Sequence, residues 1–244
     1  RYVHATLCPA PLSPLFADSV LNEDVTLVCA VMLLLFVVDR AVLPRVLRRA
    51  RGDDKARYFA LHTLANAIAT VAAAPDVYRF FAQPYGCFVG PSHTMVANSA
   101  VTAIHLYHVA FFDMPRADAV HHVVFVAVLC GLAIPYKHVG GALNNVGCFV
   151  LSGLPGGIDY ALLVLVKEGR LSKVAEKRYN AALQTWLRAP TMAAYAYSAW
   201  AQVDAVRRQP GGSLLALFVV ALLHLVNGVV YTRMAVETYA VHAE

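Results

Sequence analysis

Long apolar runs separated by short polar turns constrain the fold of this chain more than any other feature. Runs such as Val25–Leu43 and Ser213–Arg233 have about the 20 residues that a helix needs to cross the hydrocarbon core of a bilayer. Backbone polar groups find no water there, so these runs must fold as helices. The composition agrees, because 14% of the residues are charged against about 25% in soluble domains. We therefore predict an all-α, multi-pass membrane protein.

About seven transmembrane helices are predicted. They are Val25–Leu43, Tyr58–Ala74, Ser92–Phe112, Ala119–Ile134, Ala142–Val166, Pro190–Val206 and Ser213–Arg233. This divides the chain into residues 1–22 outside the membrane, 23–56 with the first helix and a basic loop, 57–233 as a helical membrane domain, and 234–244 as a tail. Loops are predicted at Pro75–Pro91 and Lys167–Arg188. Pro155 and the two glycines after it should interrupt the fifth span.

The basic residues predict an orientation. Seven spans place fifteen of the twenty Lys and Arg residues on one side, and the positive-inside rule makes that side the cytosol or its organellar equivalent. The N-terminus then lies outside or in a lumen, and the C-terminus inside. The sequence does not distinguish the endoplasmic reticulum from another organelle membrane.

Ionisable residues cluster at the turn between the third and fourth spans. His105 and His108 precede this turn with Asp113, and Asp118 follows it, three and four residues before a pair of histidines. Ionisable groups beside membrane spans are costly and usually mark a function. Other polar residues fall in the same half of their spans, which predicts one polar cavity opening towards the cytosolic side. The full set is His62, His105, His108, His121, His122, Asp159 and His224.

The pattern Asp118-Ala-Val-His121-His122 resembles the double-histidine segment of the TLC-domain superfamily, which includes ceramide synthases and translocon-associated TRAM proteins. The resemblance covers Arg57–Arg233. It implies a barrel of six helices around a lipid cavity with one extra helix, and a double histidine inside the cavity. Ceramide synthases also carry an acidic block on the following helix, where this chain has SGLPGGIDY with the single acid Asp159.

Acyl transfer is the first interpretation of the histidines. A ring held by Asp118 would be a general base for an amine or hydroxyl that attacks an acyl thioester, or would itself carry the acyl group. His121, His122 and Asp118 are thus the catalytic candidates, with acyl-CoA as co-substrate and no tightly bound cofactor. The candidate substrate-binding residues are His108, Asp113, Asp159, His105, His62 and His224.

Two other interpretations stay open. His105-x-x-His108 with His121-His122 suggests a metal-dependent lipid oxidase or hydroxylase, although the histidine boxes are incomplete and no metal ligand is assigned. Alternatively, buried polar groups satisfy one another across helices in a lipid-binding or accessory subunit of an organellar membrane complex. The expected partners are membrane lipids and subunits of such a complex. No basic stretch interleaved with aromatic residues indicates a nucleic-acid surface.

Overall fold

The computed structural model describes residues 17–82, 90–124, 128, 130–134, 136–209 and 212–243. Every regular element in these residues is helical. The α-helices are α1 (Ala17–Val37), α2 (Leu43–Val46), α3 (Asp54–Ala82), α4 (Val96–Phe111), α5 (Arg116–Val124), α6 (Gly131–Ala133), α7 (Lys137–Cys148), α8 (Leu154–Lys167), α9 (Lys173–Leu183), α10 (Ala189–Ala201), α11 (Val203–Arg208) and α12 (Leu214–Ala243). Short π-helical segments at Val38–Val42, Phe149–Gly153 and Gln184–Arg188 join α1 to α2, α7 to α8 and α9 to α10.

Three helical runs among the described residues are long and apolar enough to cross a membrane. They are Glu23–Val46, Gly140–Lys167 and Leu214–Ala243. The first two contain the first and fifth predicted spans, and the third contains the seventh except for Ser213. The prediction of an all-helical fold is confirmed for the described residues, and these three helical runs are compatible with membrane spans. The other four spans, the six-helix barrel and the orientation stay predictions.

Helix α3 lies at the centre of the packing, against α4, α7 and α8. Its buried face carries Ala65, Ala69 and Ala73, each fully buried. Small residues four apart lie on one face of a helix and let neighbouring backbones approach closely, which is the main way that helices associate in lipid. The buried core is built around this face, and α10 with α12 forms a second tight pair.

The close approach of α10 and α12 depends on Gly228. A Cβ atom built at this glycine would lie 2.9 Å from the Met192 Cβ and 3.0 Å from its Cγ. Met192 is fully buried, so its Cβ can move only with the backbone of α10. Gly228 therefore sets the distance between these two helices.

The predicted loop at Pro75–Pro91 is wrong over its first part, because α3 continues through Pro75 to Ala82. A proline removes one backbone hydrogen bond of the helix, but tertiary contacts hold the following turn. Fully buried Asp76 accepts hydrogen bonds from the His93 backbone N–H at 2.9 Å and from the Asn145 amide at 2.8 Å. Residues 83–89 lie outside the described part.

The predicted solvated loop at Lys167–Arg188 is also wrong. Gly169, with a φ of 72°, ends α8 in the left-handed conformation that glycine tolerates. The Ser172 hydroxyl then accepts a hydrogen bond from the Ala175 N–H and caps α9. From there the chain is helical through Arg188. The basic residues had suggested a solvated surface, but Glu176 and Arg188 on this helix are buried.

The interruption predicted near Pro155 is present in a milder form. The helix stays continuous, but Phe149–Gly153 is π-helical and Pro155 occupies the first turn of α8, where its missing N–H costs little. Asp159 lies on α8, just beyond this segment, as predicted.

Asp39, in the π-helical segment that follows α1, joins the first helical run to two other helices. Its side chain is fully buried, and Arg57 on α3 binds it through two hydrogen bonds of 2.8 and 3.2 Å. The Tyr107 hydroxyl on α4 donates a third, at 3.0 Å. Asp39 therefore connects three helices, because a carboxylate so far from water must have its charge and its oxygens paired.

Candidate functional site

Three buried histidines from three helices form the centre of the candidate site. His62 lies on α3, His108 in the last turn of α4 and His122 on α5, with exposed fractions of 4%, 0% and 3%. One ring nitrogen of each lies within 4.8 Å of the corresponding nitrogens of the other two. The fold thus brings together three of the predicted site residues, and we call this set the histidine trio.

Two tyrosines that the sequence analysis did not single out enclose the trio. Tyr160 on α8 stacks on the His62 ring at 4.0 Å between centroids, and Tyr58 on α3 stacks on the His108 ring at 3.8 Å. Tyr58 precedes His62 by four residues and shares its helix face, and this spacing was a usable signal. The Tyr160 position depends on the rotation of α8, which the sequence does not specify.

The hydrogen bonds of the trio are incomplete. His122 Nδ1 lies 2.8 Å from the main-chain oxygen of Asp118. A carbonyl only accepts, so Nδ1 carries the proton and Nε2 carries the lone pair. This Nε2 lies 3.5 Å from the Tyr58 hydroxyl. By contrast, both ring nitrogens of His62 and both of His108 are buried without a hydrogen-bond partner.

The predicted role of the Asp118 carboxylate is therefore wrong in its detail. Asp118 orients His122 through its backbone carbonyl, while its own side chain is exposed. The reason is geometric. In a helix, a histidine ring can turn back and donate to the backbone carbonyl four residues earlier. Asp113, in the turn before α5, is exposed as well.

Two further histidines border the trio. The His105 ring lies 4.6 Å from the His122 ring, and its Nδ1 donates to the Val101 carbonyl at 2.7 Å. His121 points away from its neighbour towards α12, where its Nδ1 forms a 3.3 Å hydrogen bond with the Tyr231 hydroxyl. Consecutive helix residues are about 100° apart, so His121 and His122 lie in different surroundings.

Arg188 lies beside His121. It was missed as a site residue because it closes the segment that was predicted to be a basic loop, Lys167–Arg188. Its guanidinium is buried and donates to the Leu151 carbonyl at 2.7 Å, the Asn227 amide oxygen at 3.0 Å and the Gln184 amide oxygen at 3.2 Å. It also lies 5.1 Å from the centre of the Tyr231 ring.

The Arg188 charge forms no ion pair with a described carboxylate, and its Nε has no hydrogen-bond partner. Asp159 has a buried Oδ1 that likewise lacks a partner. Its charge interacts with that of Arg188 without a direct bond. Unpaired buried groups of both signs are expensive, so this region is not optimised for stability alone.

His224 does not join either group. Its ring stacks on Tyr195 at 4.3 Å between centroids and its Nδ1 donates to the Val220 carbonyl at 2.7 Å. Its Nε2 occupies the space that Gly147 leaves open. His224 lies two turns before Tyr231 on α12, about 10 Å along the axis. Its predicted role in substrate binding stays a prediction.

Two cavities lined by described residues lie away from the histidines. An apolar cavity of about 360 Å³ lies between the end of the first helical run, α3 and α8, with Leu43, Ala60 and Leu165 in its wall. A smaller one of about 70 Å³ is lined by Tyr136, Tyr195 and neighbouring residues. The predicted lipid cavity around the double histidine stays a prediction.

Comparison with protein-family models finds no match, and neither curated proteins nor solved structures include one similar to this chain. The resemblance to the TLC domain rests on the residues alone.

Proposed function

We propose that this chain is a membrane enzyme of the TLC type that transfers an acyl group from a thioester, such as acyl-CoA, to a lipid amine. The observation that carries the proposal is the arrangement of His121, Tyr231 and Arg188 beside the buried histidines. It places a base, a hydroxyl and an unpaired cation next to one another on three helices.

Arg188 supplies the electrostatic part. A buried guanidinium without a carboxylate is costly, and such groups in membrane proteins commonly meet an anionic ligand or transition state. Its free Nε–H is a donor for the oxyanion that forms when a thioester carbonyl is attacked. Preorganised donors of this kind act strongly where water is excluded.

His121 supplies the base. The amine nitrogen attacks the thioester carbonyl carbon, and His121 accepts the proton that the amine loses as the carbon–nitrogen bond forms. The tetrahedral oxyanion then collapses, the carbon–sulfur bond breaks, and the proton passes from His121 to the leaving thiolate. The products are an amide and a free thiol. Tyr231, bonded to His121 Nδ1, is the positioning residue for this ring.

Purified protein in detergent is to be incubated with long-chain acyl-CoA and a panel of long-chain amines and lysolipids, with release of free thiol as the readout. We expect His121→Ala to abolish turnover and Arg188→Lys to lower kcat by about 100-fold or more with a smaller change in KM. Arg178→Lys, at an exposed position of α9, is the matched control and should retain wild-type rates.

The proposal is wrong if well-folded wild type forms no product from any of these substrates, or if His121→Ala remains fully active. Stable co-purification with larger membrane partners in the absence of turnover would instead support the accessory-subunit interpretation.

A further inference from the structure

We propose that His62, His108 and His122 bind a transition-metal ion, with Zn²⁺ as the best match. This inference rests on the histidine trio and not on the proposed acyl transfer, which uses His121 and Arg188. The proposed acyl transfer assigns no role to the trio, whose rings face one another inside the protein.

The geometry of the trio matches a three-histidine site. With Zn–N bonds of about 2.0–2.1 Å and tetrahedral angles, the ring centroids of three histidine ligands lie about 5 Å apart. The observed centroid distances are 4.4 Å for His62–His108, 5.8 Å for His108–His122 and 6.4 Å for His62–His122. These distances lie on both sides of the value for a three-histidine zinc site, so the three rings would need only small side-chain rotations to share one ion.

The unpaired nitrogens give a second, independent argument. Four buried ring nitrogens on His62 and His108 have no hydrogen-bond partner, and buried polar atoms in folded proteins are nearly always satisfied. A metal ion between the rings would satisfy one nitrogen on each histidine at once. The rings of His62 and His108 do not satisfy each other, because all four of these nitrogens lack a hydrogen-bond partner.

His122 already has the surroundings of a ligand. Metal-bound histidines usually donate their second ring N–H to a carbonyl or carboxylate, which fixes the tautomer and orients the ring. His122 Nδ1 does so to the Asp118 carbonyl, and its lone pair on Nε2 is directed into the trio. The Tyr58 hydroxyl, 3.5 Å from Nε2, borders the same space.

The donor set also selects the class of metal. Three neutral imidazoles suit Zn²⁺, Co²⁺, Cu²⁺ or Ni²⁺ and exclude Mg²⁺ and Ca²⁺, which need oxygen ligands. Three protein ligands around zinc leave one coordination position open.

The test is metal binding by purified protein in detergent, measured by elemental analysis after dialysis against EDTA and by titration with Co²⁺ alone. We expect about one zinc ion per chain and the visible absorption of tetrahedral cobalt. His62→Gln, His108→Gln and His122→Gln should each weaken Co²⁺ binding more than about tenfold. His224→Gln removes an equally buried histidine outside the trio and should bind Co²⁺ like wild type.

A variant that keeps a metal ligand at one of these positions distinguishes loss of a ligand from misfolding. In His122→Cys the thiolate replaces the imidazole, so bound Co²⁺ should gain a sulfur-to-cobalt charge-transfer band that wild type lacks. His121→Ala and Arg188→Lys should bind metal normally, which separates a failure of this inference from a failure of the proposed function. Well-folded wild type that binds neither metal, or trio variants that bind Co²⁺ like His224→Gln, would overturn the inference.

Discussion

Replacing Asp39 with alanine is expected to lower the free energy of unfolding by about 3–5 kcal/mol, which is the usual cost of breaking a buried ion pair. Asp39 is fully buried and the Arg57 side chain is 16% exposed. The substitution removes the buried oxygens that accept from Arg57 Nε and Nη2 and from the Tyr107 hydroxyl, and leaves Arg57 only its exposed contact with Asp54. Denaturant unfolding in detergent micelles, followed by the fluorescence of Trp186 and Trp200, measures the loss.

Asp54 offers a matched control because it pairs with the same arginine. Its carboxylate lies 2.7 Å from Arg57 Nη1 but is 78% exposed, and exposed pairs contribute about 0–1 kcal/mol. Asp54→Ala should therefore have little effect. If both variants lost the same stability, the argument from burial would fail. The double variant Asp39→Ala with Arg57→Met should recover part of the loss, because no unpaired charge then remains.

Replacing Gly228 with alanine is expected to lower the free energy of unfolding by about 1–3 kcal/mol, the typical cost of overpacking. The new Cβ would lie 2.9 Å from the Met192 Cβ, so α10 and α12 must separate by several tenths of an ångström. The same unfolding assay measures the effect.

Gly52 provides the comparison for that substitution. It lies in the turn before α3, and a Cβ at this position meets nothing within 4 Å. Gly52→Ala should change stability by no more than about 0.5 kcal/mol. Equal losses in the two variants would mean that intrinsic helix or turn preferences, and not helix contact, determine the effect.

The sequence was informative about the fold where the apolar pattern was long. The runs around Val25–Leu43, Ala142–Val166 and Ser213–Arg233 each lie in a helix that is long and apolar enough to cross a membrane. Local composition was a poor guide to secondary structure where packing decides it. Pro75 and the lysines and arginines after Lys167 have the composition of loops, yet buried groups such as Asp76 and Glu176 fix these segments as helices.

The candidate site was predicted in part. Spacing along the chain drew attention to His108 and His122, and the shared depth of the polar residues to His62; the fold brings these three rings together. It could not say which of the paired histidines faces the trio and which faces α12, nor could it find Arg188, because both depend on how each helix is rotated about its axis. The four-residue spacing of Asp118 and His122 suggested a contact between the carboxylate and the ring. The same spacing also suits a contact with the Asp118 backbone carbonyl, which is the one observed.

The π-helical segments Val38–Val42, Phe149–Gly153 and Gln184–Arg188 have a consequence for how this protein tolerates change. Two of them contain the buried charged residues Asp39 and Arg188, and the third contains Leu151, whose carbonyl accepts from Arg188. A π-helical turn amounts to one extra residue in an α-helix, which advances the following side chains by about 100°. Each segment thus resets the register between the helix before it and the helix after it. Single-residue deletions there would turn whole faces away from their partners. Apart from Asp39 and Arg188, residues of these segments should therefore tolerate conservative substitution far better than a change in length.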